Sequence, residues 1–134
     1  MDNNELYGTL VLVHPDLKDD PARQQGKVGV LTYVDSNEDI YVSFLNNAEG
    51  KYKSENLFQL KDREQLFSAL SDSTSLEVND YKDLYKIGLL QDSGRSTDIL
   101  RALEIAGNNS SIREKSLVKL EELMVPKREH SFSR

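Results

Sequence analysis

Hydrophobic and polar residues alternate over the first 60 positions in short runs that polar turns separate. Runs of this length, rich in Val, Ile, Tyr and Phe and bounded by Gly, Pro, Asn or Asp, are typical of β-strands. We therefore expect five strands, over residues 6–14, 26–34, 40–45, 51–53 and 55–60. A polar loop with two prolines, PDLKDDPARQQ, separates the first two strands, and loops of this kind often carry function.

The third and second strands make specific predictions about single residues. Ile40, Val42 and Phe44 form the more uniformly apolar face of the third strand, so we expect them in the core. Tyr41 then lies on the outer face or at the rim. Gly29 interrupts the second strand and offers no side chain for packing, so we expect a bulge or bend there. A tolerated glycine without a special role is the alternative.

From residue 62 onward the spacing of apolar residues changes from two to three or four, which predicts helices. Asp62 with Gln65, and Ser111 with Glu114, have the spacing of capping boxes at helix starts. Pro126 is expected to stop the last helix. We expect four helices, over about 62–71, from 79 or 80 to 88 or beyond, 96–107 and 111–125.

The first half of the chain resembles a known group of small domains. The succession GKVGVLTYV, IYVSFL, GKY and ENLFQL is similar to the SH3-like β-barrels that include KOW and Tudor-type modules. The resemblance covers residues 6–60 and implies a five-strand barrel. For function it implies binding of RNA, DNA, peptides or other proteins, and fold similarity alone does not select among these.

The predicted organisation is one α+β unit. The N-terminal SH3-like five-strand β-barrel takes up residues 1–60, and about four α-helices in residues 61–125 pack on it. No proline-rich or glycine-rich linker separates the halves. Residues 126–134 are polar and follow a proline, so we expect a disordered tail there.

Composition removes several classes of protein. The chain has no cysteine, which excludes disulfides, thiolate zinc sites and a cysteine nucleophile. The start MDNNELYG lacks the basic and apolar regions of a signal peptide, and no apolar run has the ~20 residues that span a bilayer. We therefore expect a cytoplasmic protein without membrane attachment. The pattern predicts no particular number of subunits.

The net charge of −6 is unevenly distributed along the chain. Residues 1–60 contain 10 acidic and five basic side chains, so the predicted barrel carries −5 of this charge. Because affinity for nucleic acid depends on Lys and Arg at phosphates, an acidic barrel disfavours it. A basic peptide or protein surface is the partner that this charge favours.

An aromatic and acidic rim is the first candidate site, and it lies around the DSNED turn. Its residues are Tyr33, Asp35, Glu38, Asp39 and Tyr41. Tyr33 and Tyr41 flank the turn on adjacent predicted strands, so their rings are expected to share a face, with Tyr7 belonging to the same group. A ring face beside carboxylates attracts a cation or a basic side chain. Tyrosines that only stiffen a sheet edge are the alternative and the favoured interpretation.

A short basic run near the closing strand is the second candidate, for nucleic acid. It consists of Lys51, Tyr52, Lys53, Lys61 and Arg63. An aromatic residue between basic ones is typical of surfaces that stack bases. Lysines that protect a sheet edge from aggregation are the alternative and the favoured interpretation.

The third candidate is the loop that follows the first strand, where His14, Asp16, Asp19 and Asp20 could ligate a metal. Their spacing matches no established motif, and a solvated acidic loop is the favoured alternative. No nucleophile motif, HExxH or phosphate-binding loop occurs in the chain. We therefore predict no cofactor and a non-enzymatic interaction or adaptor module with a basic protein partner. The alternatives are a KOW-like nucleic-acid-associated protein and an enzyme or metal protein that uses the His14 loop.

Overall fold

The computed structural model describes residues 3–72 and 76–124. The strands are β1 (Leu10–Val13), β2 (Val28–Ser36), β3 (Asp39–Phe44), β4 (Glu49–Tyr52), β5 (Leu57–Leu60) and β6 (Leu117–Lys119). The helices are α1 (Arg63–Ser71), α2 (Val78–Ser93), α3 (Ser96–Asn108) and α4 (Arg113–Ser116). The predicted α+β class is confirmed.

All the strand pairs are antiparallel, and they form one sheet in the order β4-β3-β2-β1-β5-β6 over the described residues. Each of the five predicted strands is present, and β6 is an addition that the sequence pattern did not predict. In this order β4 and β6 are the two edges, so the sheet is open, and the five-strand barrel predicted from the sequence is not confirmed.

β1 is buried on both of its faces because the sheet lies between two apolar clusters. Leu12 packs with side chains from α1, α2 and α3 on the helix side. Val11 and Val13 point the other way, into a second cluster that also contains Leu120 and Met124. A strand that is buried on both faces is apolar at successive positions, which explains why alternation is masked in this segment.

The predicted core face of β3 is confirmed. Ile40 and Val42 are fully buried, and Phe44 is nearly so. Tyr41 is exposed on the opposite face, as the period of two requires.

The expected bulge at Gly29 is wrong. Gly29 pairs in regular register with Val11 and Phe44, and the irregularities of β2 lie further along, between Leu31 and Tyr33 and beyond. A Cβ atom at Gly29 would lie only 2.5 Å from a methyl group of Val42. Glycine is required here by the close approach of β3, a non-local contact that local pattern does not reveal.

The start of α1 is the predicted capping box. The Asp62 carboxylate accepts a hydrogen bond from the backbone N–H of Gln65 at 2.8 Å. The Gln65 side-chain oxygen accepts one in return from the Asp62 N–H at 3.1 Å. Two N–H groups that have no partner within a helix are satisfied in this way.

Replacement of Asp62 by alanine is expected to lower the free energy of unfolding by about 1 kcal/mol, because this cap is lost. Urea denaturation measures the change. Asp72→Ala removes the same charge at the other end of α1 and serves as the control, for which no loss is expected. Equal effects of the two substitutions would show that the capping box contributes nothing beyond its charge.

α2 extends to Ser93, beyond residue 88, where the sequence offered a possible end. Gly88 lies within the helix, so the alternative of a helix that continues past it is confirmed. The helix ends at Gly94, which has the left-handed φ of 73° that favours glycine as a stop.

The predicted fourth helix is wrong over most of its length. Ser111 does not cap it, and after the single turn of α4 the chain forms β6 and a 3-10 turn at Leu120–Glu122. β6 pairs with β5, for example Leu60 with Leu117. This pairing provides hydrogen-bond partners for the backbone groups along the free edge of β5. The local helical pattern of the segment cannot reveal such a distant pairing.

No helix within residues 3–72 and 76–124 is long and apolar enough to span a membrane. The tail expected at residues 126–134 lies outside the described residues. The boundary expected at residue 60 stays a prediction, and residues 117–119 return from the second half of the chain to the sheet of the first.

Candidate functional site

Three exposed tyrosine rings form a contiguous group on the outer face of β2 and β3, here called the tyrosine cluster. Tyr33 lies directly opposite Tyr41 in the strand pairing, and their ring centroids are 6.1 Å apart. Tyr7 lies in the turn before β1, with its ring 6.0 Å from that of Tyr33. The prediction that Tyr33 and Tyr41 share a face, with Tyr7 beside them, is confirmed.

Backbone contacts hold the N-terminal turn on β2 and thereby place Tyr7. The Tyr7 hydroxyl lies 3.4 Å from both the amide nitrogen and the carbonyl oxygen of Val34. Gly8, with φ of 85°, donates its N–H to the Leu31 carbonyl at 2.7 Å. The left-handed backbone at Gly8 is a conformation that glycine adopts without strain, and it brings the turn back onto the strand.

The rings are tilted against one another by 43° and 45°, so each keeps part of a face open. Tyr33 is half exposed, and Tyr7 and Tyr41 are each exposed over more than a third of their surface. Aromatic faces of this kind carry negative electrostatic potential that attracts ammonium and guanidinium groups. The ring faces of the cluster can therefore bind the flat guanidinium group of arginine or the extended side chain of lysine.

Two of the three predicted acidic residues are free to attract such cations. Asp35 and Glu38 are exposed, and neither forms an ion pair in the part of the chain that the structure describes. Asp39 pairs with Lys51 at 3.4 Å and also lies 3.3 Å from the Ser36 hydroxyl. The carboxylates near the β2–β3 turn therefore leave uncompensated negative charge close to the tyrosine cluster.

Comparison with protein-family models, curated proteins and solved structures finds no match. The functional interpretation therefore depends on the geometry and chemistry of these residues.

The structure contradicts the proposed stacking role of Tyr52. This side chain is only 4% exposed, and its hydroxyl donates to the two carboxylate oxygens of Asp20 at 2.9 and 3.1 Å. Burial, together with the hydrogen bond and the charge of Asp20, raises the pKa of Tyr52 well above its ordinary value. A ring held in the core cannot stack on a base.

The four basic residues of the same hypothesis do not form one free surface. Lys51 is paired with Asp39, and Arg63 pairs with Asp92 at 3.1 Å while its guanidinium lies over the Phe67 ring. Lys53 is exposed next to the 3-10 turn at Ser54–Asn56, and Lys61 lies beyond β5. Nothing in this arrangement favours nucleic acid.

The His14 loop does not gather its side chains into a metal site. Asp20 is buried and accepts hydrogen bonds from Tyr52 and from backbone N–H groups, and Asp16 and Asp19 are exposed. Across residues 3–72 and 76–124, no group of three His, Asp or Glu side chains is placed to hold a metal ion. Asp20 organises the loop through its hydrogen bonds.

Sequence reasoning missed two features of the structure. The contact between Asp20 and Tyr52 joins residues 32 positions apart, and no local pattern signals it. A cleft beside β6, lined by Lys61, Arg113, Lys115 and Lys119 among others, was also missed, because its cationic side chains come from separate segments. The tyrosine cluster was found because the hairpin that joins β2 and β3 is a local feature.

Proposed function

We propose that this protein is a non-enzymatic interaction module whose tyrosine cluster binds a basic peptide segment or the basic surface of a partner protein. The observation that carries the proposal is the row of three exposed tyrosine rings, spaced 6.0 and 6.1 Å, beside unpaired Asp35 and Glu38. Rings and carboxylates together recognise arginine or lysine side chains better than either group alone.

Tyrosine suits this role for a physical reason. Its ring presents a large contact area but has only two side-chain torsions to fix, so binding costs little conformational entropy. The spacing of the rings also limits rotation of the Tyr33 side chain, because the Tyr7 ring lies on one side of it and the Tyr41 ring on the other. A surface that is already ordered before binding loses less freedom on association.

Within this proposal, residues 6–60 are an SH3-like module. Five consecutive strands with β1 next to both β2 and β5, the long loop after β1 and the short 3-10 turn before β5 support that interpretation. The cytoplasmic location expected from the sequence also stays a prediction.

Simultaneous replacement of Tyr33 and Tyr41 by alanine is expected to weaken binding of a basic peptide roughly tenfold. Each exposed cation–π contact contributes about 0.5–1 kcal/mol, and two of them approach the 1.4 kcal/mol of a tenfold change. The measurement is fluorescence anisotropy with a fluorescein-labelled peptide of alternating arginine and glycine. A peptide of alternating glutamate and glycine is the control ligand and is expected not to bind.

Tyr85→Ala is the matched control variant, because Tyr85 on α2 is as exposed as Tyr33, at 50%. It is expected to bind the arginine peptide like the unaltered protein. If the double alanine variant does not fold, Tyr33→Leu with Tyr41→Leu retains apolar packing on the strands. This pair of substitutions still removes the aromatic ring faces that attract cations. Binding that is unchanged in the double variant, or that falls equally in Tyr85→Ala, would contradict the proposal.

A further inference from the structure

Apart from the tyrosine cluster, the protein has a concave surface where β5 and β6 meet the segment that leads into α4. It is a cleft of about 650 Å³. The groups on which its chemistry depends are His14, Phe58, Lys61, Arg113, Lys115 and Lys119. Phe58 and Lys119 are direct partners in the pairing of β5 with β6, so the sheet itself forms part of the cleft wall. The tyrosine cluster contributes no residue to this cleft.

Three of the four basic residues of this cleft are less exposed than its acidic residues. Lys61, Lys115 and Arg113 are partly buried, and of the basic side chains here only Lys119 is exposed. Each of the carboxylates that line the cleft is exposed: Asp16, Glu114 and Glu122. The cleft is therefore lined by four basic and three acidic side chains, a small excess of positive charge, although the protein as a whole is acidic.

The lysines of the cleft have no acidic partner within the described ranges. The ion pairs found there involve Lys51, Arg63, Arg95 and Arg113, and none involves Lys61, Lys115 or Lys119. Lysines that line one cleft without an acidic partner leave their positive charge uncompensated, and a bound anion supplies the opposite charge.

Arg113 also has hydrogen-bonding capacity that the protein does not use. One terminal nitrogen donates to the Gly107 carbonyl at 3.0 Å, and the other lies 3.5 Å from the Asp16 carboxylate. Its Nε atom is buried and has no hydrogen-bond partner in the part of the chain that the structure describes. Arginine is the residue best suited to oxyanions, because its donors match their geometry.

His14 lies at the same cleft and adds a donor that responds to charge. The Asp16 N–H donates to Nδ1 of His14 at 3.0 Å, so the neutral ring carries its proton on Nε2. Burial lowers the pKa of His14; Asp16 acts against this, and Arg113 and Lys119 lower the pKa further. The imidazole thus senses the electrostatic potential of the cleft.

We propose that this cleft binds a small molecule through a phosphate-class oxyanion, which Lys61, Lys115, Lys119 and Arg113 hold. Three flexible ammonium groups and one guanidinium suit a compact group of multiple negative charge. Phe58 and Leu117 give the cleft an apolar wall, and its volume exceeds that of a phosphate group. The ligand class is therefore a phosphate group with an attached organic part.

The experiment uses inorganic pyrophosphate as the probe and follows the imidazole resonances of the full chain by NMR over a pH titration. A bound anion favours the charged imidazolium, so it is expected to raise the pKa of His14 relative to potassium chloride at the same ionic strength. The chain has two histidines, and a His14→Gln variant assigns the resonance. Citrate at equal charge tests whether phosphate is preferred.

Lys115→Gln with Lys119→Gln is expected to weaken pyrophosphate binding at least tenfold. Lys82→Gln with Lys86→Gln removes the same charge from the exposed surface of α2 and is the matched control, expected to bind unchanged. Lys61→Gln supplies an independent variant if the first pair does not fold. A His14 pKa that pyrophosphate leaves unchanged, equal binding of citrate, or equal losses in the two lysine pairs would overturn the proposal.

Discussion

Replacement of Asp20 by alanine is expected to lower the free energy of unfolding by roughly 3 kcal/mol, because several hydrogen bonds to one buried carboxylate are lost together. Its oxygens accept from the Tyr52 hydroxyl and from the backbone N–H groups of Ala22 and Gln24, each at 2.9 Å in its shortest contact. In the variant, these donors stay near the core without partners. That loss exceeds the value of a single exposed hydrogen bond.

Chemical denaturation monitored by circular dichroism measures this change, and Asp19→Ala is the matched control. Asp19 is the neighbouring carboxylate and is exposed, so its removal changes the net charge equally but breaks no such network. Tyr52→Phe is expected to give an intermediate loss, of about 1–2 kcal/mol, because the two backbone donors keep their acceptor. Similar stabilities of the Asp20 and Asp19 variants would show that the carboxylate does not organise the loop.

Replacement of Gly29 by alanine is expected to destabilise the protein by about 3 kcal/mol, because the added methyl group has no room. Its Cβ would lie 2.5 Å from a Val42 methyl group and 2.8 Å from both a Phe44 ring carbon and the Ser43 carbonyl oxygen. The Ser43 carbonyl belongs to the backbone of the neighbouring strand and cannot turn aside. Relief therefore requires β2 and β3 to move apart, which disturbs the sheet that carries Tyr33 and Tyr41.

Gly88→Ala is the comparison that separates crowding from the general effect of removing a glycine. A Cβ at Gly88 meets no described atom within 4 Å beyond its chain neighbours and the backbone of its own helix, α2. Alanine there is expected to stabilise the protein by about 0.5–1 kcal/mol, because it restricts the unfolded chain and favours the helix. Thermal unfolding of both variants should thus shift in opposite directions. A Gly29→Ala variant with unchanged stability would contradict the close strand approach.

The sequence predicted those parts of the fold that depend on neighbouring residues. Short runs rich in β-branched and aromatic residues, bounded by turn residues, located the five early strands, and Asp62 with Gln65 marked the start of α1 because a capping box spans only four positions. The pairing of Tyr33 with Tyr41 was predictable for the same reason, since a short turn places these two residues opposite each other. Such features need no knowledge of distant segments.

Two of the failures, at residues 117–119 and at Tyr52, involve contacts between distant segments. Residues 117–119 have apolar spacing that suits a helix, but they form β6 because β5 has an open edge to be paired. Tyr52 resembled a surface ring between two lysines, whereas Asp20 binds it inside the core. In each case tertiary pairing of backbone or polar groups outweighed the local preference.

The proposed function is tested most directly by NMR mapping of the full chain as the peptide of alternating arginine and glycine is added. We expect the largest amide shift changes around the tyrosine cluster, at Tyr7, Tyr33 and Tyr41, and at the acidic residues Asp35 and Glu38. The basic cleft around Lys115 is expected to stay unchanged, because its charge repels this peptide. Saturable shifts confined to another surface, or no shifts at all, would contradict the proposed binding surface.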